Sequence, residues 1–368
     1  MSSEWATLPL SGIAKIAMGE TLLSKDLTGC GVPVFSANTD SEPWGYTSRN
    51  KKTLKRGTIV IGARGSIGFP RLPAFETFTS TQTTISIEPD TSLADSTFLH
   101  ALLCATDIKS LAAHQAVPML TIGMISPLTV FLPPLDEQRR IGAVLRSVDD
   151  AIIANEKAAA ATRHLVNYLA TEVASRATKH VPIGKTWDVV TGRTPSPANL
   201  ELWDGDLPFV TPGDIGDETI SVRSSARSLN ATASHGSKVV PAGSLLVTCI
   251  GSTVGKMGLA TVPTTTNQQI NAVRVPPEVS GYAYLACLSI VDEIVANAGK
   301  QAVPIINKST FSALEVPLLP PEEMKEVSGM VLALDEQITA AQATIDQLRQ
   351  VKQQIAQDLL SGHVRVPA

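Results

Sequence analysis

The sequence predicts an α+β fold: two similar mixed α/β domains separated by an antiparallel two-helix coiled-coil spacer, with approximate two-fold symmetry. Three observations lead there. Short motifs recur at one displacement of 186 residues, each copy contains short β-like runs punctuated by turn formers, and each copy closes on about 40 residues of helical heptad pattern.

The repeat comes first because it sets the architecture. Ala112-Ala113-His114-Gln115-Ala116-Val117-Pro118 answers Ala298-Gly299-Lys300-Gln301-Ala302-Val303-Pro304, and Gly57-Thr58-Ile59-Val60-Ile61 answers Gly243-Ser244-Leu245-Leu246-Val247, all 186 apart. Gly65-Ser66 pairs with Gly251-Ser252, and Phe131-Leu132-Pro133-Pro134 with Leu318-Leu319-Pro320-Pro321. Near the starts, Pro9 and Gly19 answer Pro182 and Gly192 at a displacement of 173, so the second copy holds 13 extra residues between its opening glycine and its Gly-x-hydrophobic strand. Strands are expected at Thr58–Ile61, Thr84–Ile87 and Thr129–Leu132, and again at Ser244–Cys249, Ile270–Val275 and Ala313–Leu318. Short helices are expected at Ser96–Leu111 and Tyr282–Asn297.

Each copy ends in a long helix. From Ile141, steps of four and three pick out Leu145, Val148, Ile152, Asn155, Ala159, Thr162, Val166, Leu169 and Val173. The second copy repeats the phase in Val327, Val331, Leu334, Ile338, Ala341, Ile345, Leu348, Lys352, Ile355 and Leu359, and this alternation is a coiled-coil seam. Both helices start after a Pro-Pro with acids in the first turn (Asp136, Glu137; Glu322, Glu323), which suit the positive helix end. No proline interrupts them before Pro182 and Pro367. Two matched helices in one chain most simply pack together, and an antiparallel pair holds the domains at opposite ends. The expected boundaries are 1–134 and 180–320 for the domains and 135–179 and 321–368 for the helices.

Composition narrows the function. A hydrophobic fraction of 43% with 17% charged residues supports buried cores rather than disorder. No run approaches a membrane span, the first residues lack a signal-peptide pattern, and Cys30, Cys104, Cys249 and Cys287 stand far apart, as reduced thiols in a cytoplasmic protein do. The net charge of −4 runs against a self-sufficient nucleic-acid binder: residues 1–134 carry ten basic against ten acidic side chains, and 180–320 nine against eleven. Catalysis by this chain is not expected. The Pro-Pro pairs precede Leu135, Glu278 and Glu322 rather than an aromatic residue, the six histidines are dispersed, and no cluster has metal-ligand spacing. Gly251–Lys256 superficially suggests a nucleotide loop, but it has three residues between its glycines where four are needed, and Met257 stands where Ser or Thr is required. Neither a cofactor nor a metal is expected.

A strut with a similar but non-identical domain at each end measures distance, and DNA is the natural linear partner. A scaffold joining two protein ligands is the alternative, since symmetry alone fits both. Gly192-Arg193-Thr194-Pro195-Ser196, Leu202–Phe209 and Gly213-Asp214-Ile215, with Pro133–Gln138 at the first helix entry and Leu359–Val366 at the second helix exit, resemble the specificity subunits of type I restriction-modification systems. The resemblance covers nearly the whole chain. It departs at Glu322-Glu323-Met324-Lys325, where the Glu-Gln of the first entry is lost. What it implies is two target recognition domains, each reading half of a bipartite DNA site, and a helical spacer that fixes the gap. It further implies two modification subunits, adenine methyltransferases, docked on the spacer, with restriction subunits able to join. The helix-entry residues Asp136, Glu137, Gln138, Glu322 and Glu323 are then the candidate partner contacts.

Candidate DNA contacts follow from chemistry. Arg49-Asn50-Lys51-Lys52 is the densest basic run, and the glycine loops place Arg64 and Lys256 where the backbone can approach a phosphate. Thr79–Thr84, with Gln82, and Thr264–Gln269, with Asn267, Gln268 and Gln269, are rich in amides and hydroxyls that can pair with adenine and contact thymine. Arg193 and Thr194 sit at the mouth of the second domain. Gln115 and Gln301 serve equally well as backbone partners or DNA contacts.

Overall fold

The computed structural model describes residues 5–39, 42–112, 118–196, 198–230 and 238–366. The chain divides into two compact units, Met1–Ile153 with Gln347–Ala368, and Ala154–Asp346. The central long helix contributes its first part to one unit and its second part to the other, and so does the C-terminal helix, Pro321–Leu360.

The first unit contains β1 (Ala6–Pro9), β2 (Ala14–Met18), β3 (Val32–Phe35), β4 (Gly45–Thr47), β5 (Leu54–Lys55), β6 (Ile59–Gly62), β7 (Pro70–Arg71), β8 (Thr77–Ser80), β9 (Thr84–Pro89) and β10 (Thr129–Leu132). They form sheets of order β2-β9-β6-β7 and β4-β3-β8-β5 and a β1-β10 pair. Helix α1 (Ser96–Ala105) and the single turn α2 (Ile122–Ile125) precede the central helix α3 (Leu135–Arg176). The core gathers Ile59, Ile61, Ile85 and Ile87 from the sheet with Phe98 and Leu99 from α1 and Ile141 and Leu145 from α3. Each such side chain removed from water contributes about 1.5–3 kcal/mol. The helix expected over Ser96–Leu111 breaks: Thr106 turns extended, and Asp107 then takes the amide of Ser110 in a separate turn at Lys109–Ala112.

The second unit repeats this plan with β11 (Lys179–Pro182), β12 (Asp188–Thr191), β13 (Trp203–Val210), β14 (Ser221–Val222), β15 (Arg227–Leu229), β16 (Leu245–Thr248), β17 (Met257–Ala260), β18 (Thr265–Thr266), β19 (Ile270–Arg274) and β20 (Glu315–Leu318). Its sheets are β12-β19-β16-β17-β14 and β15-β13-β18, with a β11-β20 pair. Both displacements recur in the strands: β11 lies 173 residues after β1, and β20 lies 186 after β10. Each unit has a corresponding parallel pair, β3 with β8 and β13 with β18, and in the second unit β14 also pairs with β17 in parallel. In the stretch that holds the extra residues, β14 joins β17 at a sheet edge that ends at β7 in the first unit. Here the helical stretch is α4 (Ile183–Thr186), α5 (Ser280–Leu288), α6 (Val291–Asn297) and α7 (Lys308–Ala313), followed by the C-terminal helix α8. The helix expected over Tyr282–Asn297 thus also breaks, at Ser289-Ile290. Buried Tyr282 donates its hydroxyl to the Pro317 carbonyl at 2.7 Å and accepts from the Leu319 amide at 3.1 Å, and burial pushes its phenol up to about 12.

In each unit the two long helices run opposite ways. In the first, Glu137 meets Arg365 while Asp149, twelve residues later on α3, meets Lys352, thirteen residues earlier on the partner helix. In the second, Arg176 near the end of α3 meets Glu323 at the start of α8. Among seam positions, Ile141, Leu145, Ile152, Ala159, Val166, Val173, Val327, Val331, Ile338, Ile345 and Leu359 are buried, and the others are half-buried. Of the polar intrusions, Thr162 bonds back to the Ala158 carbonyl at 3.0 Å, and Lys352 is paired with Asp149 at 2.6 Å. No single helix among the described residues is long and apolar enough to cross a membrane.

The opening glycines of the two copies have one steric cause. A Cβ on Gly19 would lie 2.1 Å from the Thr81 carbonyl oxygen, and one on Gly192 2.3 Å from that of Asn267. Either glycine replaced by alanine is expected to cost about 1–3 kcal/mol by forcing the backbone apart. Gly329→Ala, in open space on α8, is expected to stabilise by about 0.4–1 kcal/mol. Urea midpoints of the three variants check this.

Candidate nucleic-acid interface

In the first unit, four loops meet where β2, β3, β6 and β8 end. The Gly19 amide donates to Thr84 O at 3.0 Å, Glu20 N to Ser80 O at 2.9 Å, and Leu22 N to Gln82 Oε1 at 3.1 Å. The glycine loop closes on itself through Gly68 N to Gly62 O, 2.9 Å, and joins the polar turn through Ala63 N to Thr83 O, 2.7 Å. Thr83 Oγ1 lies 2.7 Å from Thr81 Oγ1 and 3.3 Å from Ser36 Oγ, which brings in the loop after β3. Arg64 projects exposed from this junction, its Nε 3.0 Å from Met119 Sδ.

The basic run is fastened to the same place by one buried acid. Glu20, 9% exposed, accepts from Lys51 N at 2.7 Å, Lys52 N at 3.4 Å and Thr79 Oγ1 at 2.5 Å. A carboxylate accepting two backbone amides fixes the run's path and leaves its side chains outward. Lys51 and Lys52 are exposed, Lys52 Nζ reaching Met18 O at 3.4 Å, and Arg49 stands 3.9 Å from Asp26. Asn50 spends its amide on Lys52 O and Thr53 Oγ1, which shapes the loop.

The second unit builds the same junction from different side chains. Arg193 N donates to Thr266 O at 2.9 Å, and Cys249 N to Gln269 O at 2.7 Å. Asn267 Nδ2 reaches Gln269 Oε1 at 2.8 Å, in the place of the Thr81–Thr83 link. Gln268 accepts from the Thr194 hydroxyl at 2.5 Å, as Gln82 accepts from Leu22 in the first copy. Arg193, Thr194 and Gln268 are exposed, and Gln269 is half-buried with Nε2 3.3 Å from Ile250 O.

Two expected contacts are corrected by this geometry. Asn267 is 7% exposed and its amide group is consumed within its own turn, so it shapes the loop instead of facing outward. Lys256 does not join Thr194 and Gln268: its ammonium pairs with Asp217 at 2.9 Å beside Arg163 and Ile338 of the long helices, and the position equivalent to Arg64 is Ile250. Gln301 is exposed, and Gln115 lies outside the described residues. The sequence pattern does not single out Glu20 or Ser36. The parallel β3–β8 pairing brings Ser36 to the polar turn and a parallel bridge to Thr81 brings Glu20, and nothing in the local sequence announces either pairing.

The expected partner contacts divide as well. Gln138 is 1% exposed, donating to Leu93 O and Pro133 O and accepting from Asp95 N, each at 2.9 Å. Glu137, 4% exposed, takes two bonds from Arg365 at 2.5 and 2.6 Å. Both therefore close the first unit and have no surface to offer a partner. Asp136 and Glu322 are exposed, paired with Arg139 and Lys325 one turn on, while Glu323 binds Arg176.

The Arg365 hydrogen bonds, aided by the charges of Arg365 and Arg140, hold the Glu137 carboxyl below the usual carboxylate range against its own burial. A lowered folded value means the stabilisation is complete above the unfolded value, about 4.3, and is lost as pH falls through the folded one. Glu137→Gln is therefore expected to flatten the acid limb of the stability–pH curve below pH about 4.3. Urea midpoints across that range test it.

The family described as the type I restriction modification DNA specificity domain matches residues 2–162 and 179–357. The chain is 27% identical over 184 residues to the type I restriction enzyme HindI specificity subunit of Haemophilus influenzae, covering 48% of this chain and 39% of that one. It is 29% identical over 172 residues to the MjaIX specificity subunit of Methanocaldococcus jannaschii, covering 42% and 39%. The aligned part thus spans about two fifths of those relatives' lengths. The fold is similar to the crystal structure of the type I restriction-modification S subunit from M. genitalium, with a TM-score of 0.70, 16% identity and coverage of 98% and 97%. It is also similar to a chain from a study of complex assembly and conformational transition of the type I restriction-modification system, with a TM-score of 0.53, 17% identity and coverage of 97% and 98%.

Proposed function

Because this chain belongs to the family of type I restriction modification DNA specificity domains, we propose that it is the DNA sequence-specificity subunit of a type I restriction-modification complex, working in the cytoplasm. Residues 1–134 and 180–320 are the two recognition domains, each reading one half of a bipartite target. The helices at 135–179 and 321–368 set the unspecified gap and dock two adenine-methyltransferase subunits. The chain itself catalyses nothing; restriction subunits add to the same core.

One observation carries the reading. Two loop junctions with the same backbone connections present different side chains, exposed Arg64 and half-buried Gln82 in one and exposed Arg193, Thr194 and Gln268 in the other. A common framework with unlike tips suits two readers of one duplex. Arg49, Lys51, Lys52, Arg64 and Arg193 position the phosphates, and Gln82 and Gln268 offer the amide geometry that pairs with adenine N6 and N7, while Gln269, like Asn267, is engaged at both ends of its amide. Asp136, Glu322 and Glu323 are the acidic contacts for the partner subunits. The balanced charge of each domain means that much of the phosphate neutralisation comes from those subunits.

That same charge balance is what favours a protein scaffold without DNA, and one experiment separates the two. Co-expressed with the adenine-methyltransferase subunit of a type I system, the chain is expected to bind DNA sequence-selectively and in a salt-sensitive way; a scaffold does not. Lys51→Ala with Lys52→Ala is expected to weaken binding to all sequences alike and to lower the salt slope by about 1 for each phosphate no longer neutralised. Electrophoretic shifts across a salt series read both results. Exchanging residues 180–320 for those of a relative is expected to change one half-site and leave the other half-site and the gap as they were. Methyl-adenine mapping detects this, and a change in both halves contradicts the division of labour.

A further inference from the structure

In the first unit a groove of about 870 Å³ runs between α1 and the long helices, lined by His100, Cys104, Arg146, Asp149, Arg349 and Lys352 among others. The second unit has its counterpart, for Leu102, Arg349 and Gln353 correspond at the 186-residue displacement to Leu288, Arg163 and Asn167, which line a space of only about 250 Å³. The segment Glu218–Ser221 closes that second space. Glu218 pairs with Arg163 at 2.9 Å, and its carbonyl accepts from the same guanidinium at 3.3 Å. Ile220 is 4% exposed. The amides of Ile220 and Ser221 donate to Asp335 Oδ1 at 2.7 and 3.3 Å, and the Ser221 hydroxyl donates to its other oxygen. This segment lies between the opening glycine and the Gly-x-hydrophobic strand, where the second copy has its 13 extra residues.

The first unit keeps the receiving groups without the segment. Arg349 stands at the position of Arg163 and Asp149 at that of Asp335, each 186 residues away. Lys352 replaces Val166 and holds Asp149 at 2.6 Å, with the two side chains 33% and 42% exposed. A pair so open to water is weakly held, so it yields readily to a better partner. Arg146, Arg349 and Lys352 give the groove a basic lining, complementary to an acidic occupant that competes with the contacts these side chains already make.

We propose that this groove receives an extended segment of a partner protein with the pattern acid, any residue, aliphatic, hydroxyl. The acid binds Arg349, the aliphatic side chain fills the groove, and two successive amides and the hydroxyl bind Asp149. The proposal rests on the reading of the helix pair as a docking strut. It makes the docking unequal, because the second unit supplies its own occupant.

The probe is a synthetic peptide of the sequence Asp217–Arg223, carrying fluorescein and a photo-crosslinker, titrated into the full chain without DNA or other subunits. Saturable binding by anisotropy is expected, at least tenfold weaker for Asp149→Asn, for Arg349→Gln and for the peptide with Glu218→Gln. Crosslinks are expected on α1 or on residues 349–361. No binding at millimolar peptide, binding indifferent to Asp149 and Arg349, or crosslinks confined to residues 154–346 each overturn the proposal. DNA selectivity plays no part in the measurement, so such a failure leaves the specificity-subunit reading standing.

Discussion

A helix whose apolar residues recur every three or four positions over some forty residues cannot leave that stripe in water, and here the second such helix removes it. The seam is what makes one chain out of two repeats. Ile141 and Leu145 share a core with Leu359 and Ile355, and Val166 and Val173 share another with Val327 and Val331. Each globular domain then packs on apolar residues of both helices, so domain and strut have a common interior. In each unit an ion pair fixes the first turn of a long helix, Glu137 with Arg365 and Glu323 with Arg176, the two acids holding equivalent positions.

The two copies solve one local problem in opposite ways. The short helix following β9 or β19 must have its first amides satisfied against the long helix. In the first unit Asp95 caps Thr97 and Phe98 at 2.9 and 3.0 Å, and Gly142 opposite it has no side chain to collide. In the second, the equivalent of Asp95 is Gly281, and the equivalent of Gly142 is Ser328, whose hydroxyl accepts from the Gly281 amide at 3.0 Å. The oxygen has moved from one helix to the other while the packing is kept. The loss of Glu-Gln at the second helix entry belongs to the same divergence: Gln138 braces the loop before α1, whereas Met324 packs against the second core.

Periodicity and repetition make the architecture legible in the sequence. A heptad phase is a property of the residue order itself, and so is a displacement of 186; both survive into the helices and strands almost residue for residue. The strands visible in the pattern, such as β6, β9 and β10, are continuous apolar or alternating runs. Those that escape it, such as β5, β7 and β18, are two-residue pairings set by neighbours, not by local pattern. The site follows the same rule. Composition picks out the polar turns and the basic run, but it does not say which amides are consumed internally. Asn267 and Gln268 are adjacent and chemically alike, yet the first is folded into its turn and the second is exposed, because a turn needs one acceptor for the amide of Gln269. Lys256 departs from its expected place because its partner, Asp217, stands in the long connection between β13 and β14.

That separation between framework and tip explains how duplicated domains can diverge in what they touch. The bonds that shape each junction run from backbone to backbone or from buried side chains: Glu20 under the basic loop, Thr81 or Asn267 across the turn, and a glycine pressed on the turn's carbonyl. The exposed positions Arg64, Gln268, Arg193 and Thr194 stand outside the core that holds the loops. Surface substitutions clear of caps, cores and networks usually cost within about 0.5 kcal/mol, so such positions can change with little effect on folding. A scaffold that holds its loops from below is free to vary what they carry, and two copies on one helix pair can vary independently.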